Sequence, residues 1–163
     1  GSEALSVFSS KQADALFGFY YNVLFMESKG LGKVIYSTIE KPEISSQSLV
    51  VGRNEYLEKN ERVPVAIIKA LKRAKEFTAK NPEKAFEIYA RSGIPADIFK
   101  KAYSEDFTFE NFNPEIKKET ENKITSLIDF LYSNNFIKSK IKADELLTKK
   151  YYKIAMSEEN KTK

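Results

Sequence analysis

The sequence predicts a helix-rich α/β fold, and three observations predict it. Residues 3–53 alternate helical apolar spacings with short apolar runs that end at glycine or serine, the signature of buried strands joined by helices. From Asn54 onward the apolar residues recur at helical spacing almost to the end of the chain. Apolar residues make up 42% of 163 residues and aromatics 13%, enough to build a core.

Each element follows from its own residues. Ala4, Leu5, Val7 and Phe8 recur at near-helical spacing between Glu3 and Ser10. Ala13 to Phe19 is a short apolar run read as a buried strand that places Phe17 in the core. Tyr20 to Lys29 carries Val23, Leu24 and Met26 at helical spacing, and Gly30 supplies the left-handed stop. Lys33 to Ser37 reads as the next strand, so helix, strand, helix, strand implies a parallel sheet covered on both faces. Ile39 to Gln47, with Pro42 and two serines, reads as a crossover. Ser48 to Gly52 reads as a third strand.

The second half reads as helices. Val63, Ile67, Leu71, Ala74 and Phe77 form an apolar stripe opposite Lys69, Lys72, Arg73, Glu76 and Lys80, with Pro64 in the first turn, where a missing N–H costs least. Asn81-Pro82-Glu83 opens a helix by capping residue, helix-start proline and acid. It runs to Arg91 and stops at Gly93. A short helix follows from Ile94-Pro95-Ala96-Asp97 to about Tyr103. Phe107, Phe109 and Phe112 read as an aromatic connector. Asn113-Pro114-Glu115 repeats the start signature and opens a long helix with Ile116, Thr120, Ile124, Leu127, Leu131 and Asn134 on one face. A last short helix spans Ala143 to about Lys150, and Glu158 to Lys163 reads as a fraying charged tail. The two Asn-Pro-Glu starts do not make a helical repeat, because the residues that follow them do not match.

Composition narrows the chemistry. The chain has no cysteine and no histidine, which excludes disulfides, thiol and imidazole catalysis, and zinc sites of the usual kind. No phosphate-loop, dinucleotide or calcium-loop signature is present, so neither a metal nor a cofactor is expected. Glu115, Glu119 and Glu121 are interleaved with Lys117, Lys118 and Lys123 and read as a solvated face with i,i+4 pairing. Net charge is only +4, and acids interrupt the basic set Lys69, Lys72, Arg73 and Lys80, so no nucleic-acid partner is expected. No run of about 18 apolar residues exists to cross a bilayer. No export signal is seen.

The candidate site is Gly18, Phe19, Tyr20, Tyr21 and Asn22, where a predicted strand ends and a helix begins. In open α/β sheets ligands gather outside the carboxyl ends of strands. Free helix-start N–H groups favour anionic or polar atoms, the rings offer faces to a planar group, and Asn22 both donates and accepts. The same residues also read as aromatics packed at an interface.

Several segments taken in order resemble the later part of ABC-transporter solute-binding proteins. They are Ser2 to Leu5 through Lys11 to Ala15, Gly18 to Asn22, Leu49 to Val51 with Glu58 to Asn60, Ala70 to Ala74, Asn81 to Ala85, Ile128 to Tyr132, Ile137, and Asp144 to Leu147. The branch is the type II periplasmic binding proteins that take aliphatic sulfonates, taurine or thiamine-pyrimidine precursors. The chain departs where members often carry Asn-Pro-Glu: here stand Asn60-Glu61-Arg62, with the proline displaced to Pro64.

The resemblance implies the C-terminal part of such a fold, with strands from two lobes. Residues 1–38 would end one α/β lobe, residues 39–47 would cross the hinge, 48–112 would belong to the second lobe, and 113–163 would wrap it. Gly18 to Asn22 would then form one wall of an interlobe cleft. The implied partners are a small-molecule ligand, an ABC permease at the membrane, and either the missing N-terminal part or a second copy. The implied location is periplasmic, or anchored outside the cytoplasm. The function expected is capture of a solute without covalent chemistry, hence no enzyme. Two alternatives stand beside it: a ligand-sensing domain of a signalling receptor, and a relative of the synthases that build a thiamine pyrimidine from their own histidine, a residue this chain lacks.

Overall fold

The computed structural model describes residues 2–38, 48–103 and 112–161. The expected crossover at Ile39 to Gln47 and the Phe107-Phe109 connector lie outside the described residues. The elements are α1 (Ser2–Ser9), α2 (Tyr20–Ser28), α3 (Asn54–Lys59), α4 (Arg62–Lys80), α5 (Pro82–Tyr89) with a 3-10 turn (Ala90–Ser92), α6 (Ala96–Ala102), α7 (Lys118–Ser133), α8 (Ala143–Leu146) and α9 (Lys150–Lys161). The chain divides into two compact units. One comprises Gly1–Pro42 and Glu76–Asn111, the other Glu43–Lys75 and Phe112–Lys163.

The first unit is built on α2, α5 and α6, with α1 packed on α2. Its core is Leu24, Phe86, Ile94, Ile98 and Phe99, edged by Tyr21, Phe25, Tyr89 and Tyr103. Glycine and its stand-ins set the ends of these helices. Gly30, at φ +69°, ends α2, and the Leu31 N–H reaches back to the Met26 carbonyl at 3.1 Å. Lys11, at φ 60°, does the same for α1, with Gln12 N donating to Val7 O at 3.0 Å. Both are left-handed closures that satisfy carbonyls orphaned at a helix end. Gly93, at φ +93°, closes the turn after α5, the expected stop.

The second unit rests on a different core: Val65 of α4 against Tyr151 and Ala155 of α9. The two helices run parallel, because Glu61 pairs with Lys150 at 2.7 Å, Lys69 with Glu158 at 2.5 Å, and Lys72 with Glu159. The Glu61 carboxylate bonded to Lys150 holds that ammonium above its ordinary value. Half-exposed pairs of this kind contribute about 0.2–1 kcal/mol each. The apolar seam therefore sets the docking energy and the charges set its register. Glu158 to Lys161 accordingly do not fray but complete α9.

Several other expectations change. The stripe Val63, Ile67, Leu71 and Phe77 is exposed, while Val65 and Thr78 are buried. The helix turns its inward face one to two residues away because α9 docks on Val65 and the Thr78 hydroxyl lies 3.2 Å from that of Tyr89. Asn113-Pro114-Glu115 forms a turn in which Glu115 N donates to Asn113 Oδ1 at 3.1 Å, and α7 starts only at Lys118. Ile124 and Ile128 are its buried residues, whereas Leu127 is exposed.

The three predicted strands, Ala13 to Phe19, Lys33 to Ser37 and Ser48 to Gly52, are not paired into any sheet among the described residues. Phe17, expected in the core, is 92% exposed. The physical reason is that a buried parallel strand requires a neighbour on each edge to take its N–H and C=O groups, and none of the described residues supplies one. What stands is a helix-rich architecture.

Candidate functional site

The segment Gly18 to Asn22 sits where the chain enters α2. Phe19 is extended, at φ −63° and ψ 147°, and the helix begins at Tyr20 with no side-chain cap. Asn22 N and Val23 N both donate to the Phe19 carbonyl, at 2.9 and 3.2 Å. The N–H groups of Tyr20 and Tyr21 have no acceptor among the described residues, so they point positive charge density outward as helix-start donors do. A Cβ on Gly18 would meet only Asn22 Cβ and Val23 Cγ2, at 3.9 and 4.0 Å, so that glycine is not forced by crowding.

The aromatic rings divide between two tasks. Phe19 is 58% exposed and stacks on Tyr21, with centroids 5.8 Å apart and planes inclined by 12°. Tyr21 in turn lies 5.2 Å from Phe99, which lies 5.6 Å from Tyr89. Phe86 continues the chain to Tyr103 at 6.1 Å and 10°. Phe19 is thus the exposed end of a ladder of rings whose other members hold the core of the first unit. Tyr20, exposed, points away from Tyr21, since neighbouring helix residues do not face each other. Asn22 is half-buried. The structure brings Phe19 and Tyr21 into contact, leaves Tyr20 apart, and keeps all five residues at one helix start.

The ladder has an electrostatic consequence. Burial, followed by the nearby Tyr21 and Tyr89 phenols, pushes Tyr103 up to about 12 from 10.0. In an unfolded chain this phenol ionises near 10.0, so between that value and about 12 the unfolded state has lost a proton that the folded state keeps. Stability therefore falls as pH rises through that window and is unaffected by this group below it. A phenolate titration by ultraviolet absorbance should show a phenol lagging to about 12 that disappears in Tyr103→Phe, while burial also holds Tyr152 above its ordinary value, and the variant should lose less stability above pH 10.0 than the parent.

A second concavity, missed from sequence, lies on the opposite side of α2. It is a cleft of about 280 Å³ whose lining includes Phe8, Leu16, Val23, Met26 and Ile35, with Asp14, Glu27 and Lys33 among its charged residues. None of Gly18 to Asn22 lines it. Gly32 makes it possible, because a Cβ there would sit 3.0 Å from Phe8 Cζ. The Ser9 hydroxyl donates to the Met26 sulfur at 3.5 Å and ties α1 to the floor. The one sequence signal was that second glycine two residues beyond Gly30.

The charged clusters behave as surfaces. Glu121 is bonded by Lys149 at 2.6 Å and approached by Lys118 at 3.3 Å, and these ammonium groups hold its carboxyl below the usual range. Lys123 pairs with Glu119 at 3.1 Å. Lys69 and Lys72 are engaged by the acids of α9. Among the described residues no group of three or more acidic side chains could hold a metal ion, and no helix is long and apolar enough to cross a membrane.

A family model described as NMT1/THI5 like matches residues 1–85, just over half of the chain and a stretch that contains both the α2 entrance and the cleft. No curated protein and no solved structure matches.

Proposed function

The chain belongs to the NMT1/THI5-like family, and from that premise we propose that it is a solute-binding component of an ABC import system. It captures a small molecule and releases it unchanged to a permease, outside the cytoplasm. The wall that meets the solute is Gly18 to Asn22. The observation that carries this reading is the uncapped start of α2 beside the exposed ring of Phe19, which offers donors for a polar or anionic group next to a stacking face. That pairing suits a planar thiamine-pyrimidine precursor, with a sulfonate as the other ligand class the N–H groups would accept.

The test is calorimetry and thermal shift with an aminopyrimidine thiamine precursor and with taurine. One of the two should bind. Tyr20→Ala and Phe19→Ala should each weaken that binding by about tenfold, equivalent to about 1.4 kcal/mol. Absence of binding to both classes, or binding indifferent to both substitutions, would refute the assignment of this wall.

A further inference from the structure

The C-terminal end of α7 carries apolar side chains that the core of the second unit does not use. Asn135, at φ 59°, turns the chain back on the helix, and Phe136 N donates to the Leu131 carbonyl at 2.9 Å. This closure brings Phe136 onto Phe130, with ring centroids 6.3 Å apart and planes inclined by 26°. A hydrophobic contact ordinarily accompanies such a closure, yet here both rings stay in solvent, Phe136 at 70% exposure and Phe130 at 57%. Leu127 is half exposed and, at i,i+3 spacing, stands beside Phe130. α8, which packs against α7, exposes Leu146 as well.

The chain leaving the closure is basic. Ile137 and Ile141 are half-buried, while Lys138, Lys140 and Lys142 are exposed. Lys140 reaches Asp129 at 2.6 Å and so neutralises the acid in the last two turns of α7. Lys138 and Lys142 make no ion pair among the described residues. From Asn134 to Lys150 five lysines stand against two acids, Asp144 and Glu145. Rings and ammonium groups in one short stretch define the partner. A protein cover over the rings would need carboxylates placed for Lys138 and Lys142, whereas an anionic bilayer accepts both features at once: aromatic rings settle at headgroup level and lysine stems stretch to the lipid phosphates.

We propose that Leu127, Phe130 and Phe136, together with Lys138 and Lys142, form a peripheral docking surface for an anionic lipid bilayer. The stacked rings enter the headgroup boundary and the two ammonium groups meet lipid phosphates. Neither signal is strong alone, so the contact is reversible and needs both. The surface belongs to the second unit and does not rest on the wall at Gly18 to Asn22.

Co-sedimentation of the 163-residue chain with vesicles tests this, using phosphatidylcholine alone and phosphatidylcholine with about one third phosphatidylglycerol. The chain should partition onto the anionic vesicles at least about tenfold more strongly than onto the neutral ones, and the difference should vanish in about 1 M salt. Lys138→Gln with Lys142→Gln should weaken anionic binding by about tenfold or more, roughly fivefold for each charge. Leu127→Ser and Phe136→Ser should each weaken it by about tenfold. Phe136 also closes the helix end, so Leu127→Ser and the lysine pair, all at exposed positions, are the decisive variants, and their circular dichroism should match the parent. Millimolar glycerol phosphate should not release the bound chain, because the site is a lipid surface and not a pocket for a free phosphate. Absence of binding, equal binding to both vesicle types, binding indifferent to the lysine pair or to Leu127→Ser, or release by glycerol phosphate would overturn the proposal.

Discussion

Phe86→Ala is expected to remove about 3–5 kcal/mol of stability, the usual loss when a buried phenylalanine becomes a cavity. The ring is 4% exposed and sits among Leu24, Ile94, Ile98 and Phe99, with Tyr103 stacked on one side. A domain's whole margin is about 5–15 kcal/mol, so a loss of that size removes a large share of it. The effect also reaches the α2 entrance, because Leu24 anchors α2 in this core and Tyr21 rests on Phe99. Urea unfolding should show the lowered midpoint, and the near-ultraviolet tyrosine signal should weaken before the helical signal does. Ile88→Ala, on the same helix but exposed, is the control and should stay within about 0.5 kcal/mol. If the two substitutions cost the same, the described core is wrong.

Ala155→Leu is the second large effect, by the opposite mechanism. Ala155 is 0% exposed at the seam of α4 and α9, between Val65 and Tyr151. Three added carbons have no space there, and overpacking costs about 1–3 kcal/mol. The strain is relieved only if α9 lifts, which uncovers Val65 and separates Lys69 and Lys72 from their acids. Hydrogen exchange should accelerate for the amides of Tyr151 to Glu159, while Ser157→Leu, on the exposed side of the helix, should leave it unchanged. Slow exchange in Ala155→Leu would contradict the docked helix.

The elements that were legible in sequence are those whose cause is local. Asn81-Pro82-Glu83 starts α5, and Gly30 and Gly93 stop helices in the left-handed conformation. The same conformation at Lys11 and Asn135 went unread, since only glycine announces it, although Phe136 N closes on Leu131 O at 2.9 Å in the same way. Asn113-Pro114-Glu115 shows the limit of a three-letter signal: the asparagine bonds Glu115 N, and the helix begins later. Strands depended on partners that the letters cannot contain, so Phe17 and Ile35 read as interior and stand outside. The inward face of α4 was misjudged because it depends on Ala155, a residue distant in sequence. At the site, the α2 start was visible as a change from one apolar period to another. The cleft was not, because Phe8, Leu16 and Met26 meet only once α1 and α2 pack.

The pairing of α4 with α9 joins residues 89 and 87 positions apart, Lys69 with Glu158 and Lys72 with Glu159. Contacts so distant along the chain are costly to find and slow to form. During synthesis the Val65 face therefore emerges early and waits, uncovered, until Tyr151 and Ala155 have left the ribosome. Over that interval the nascent chain presents an adhesive surface, and its yield in a cell depends on how long translation takes and on what shields it meanwhile.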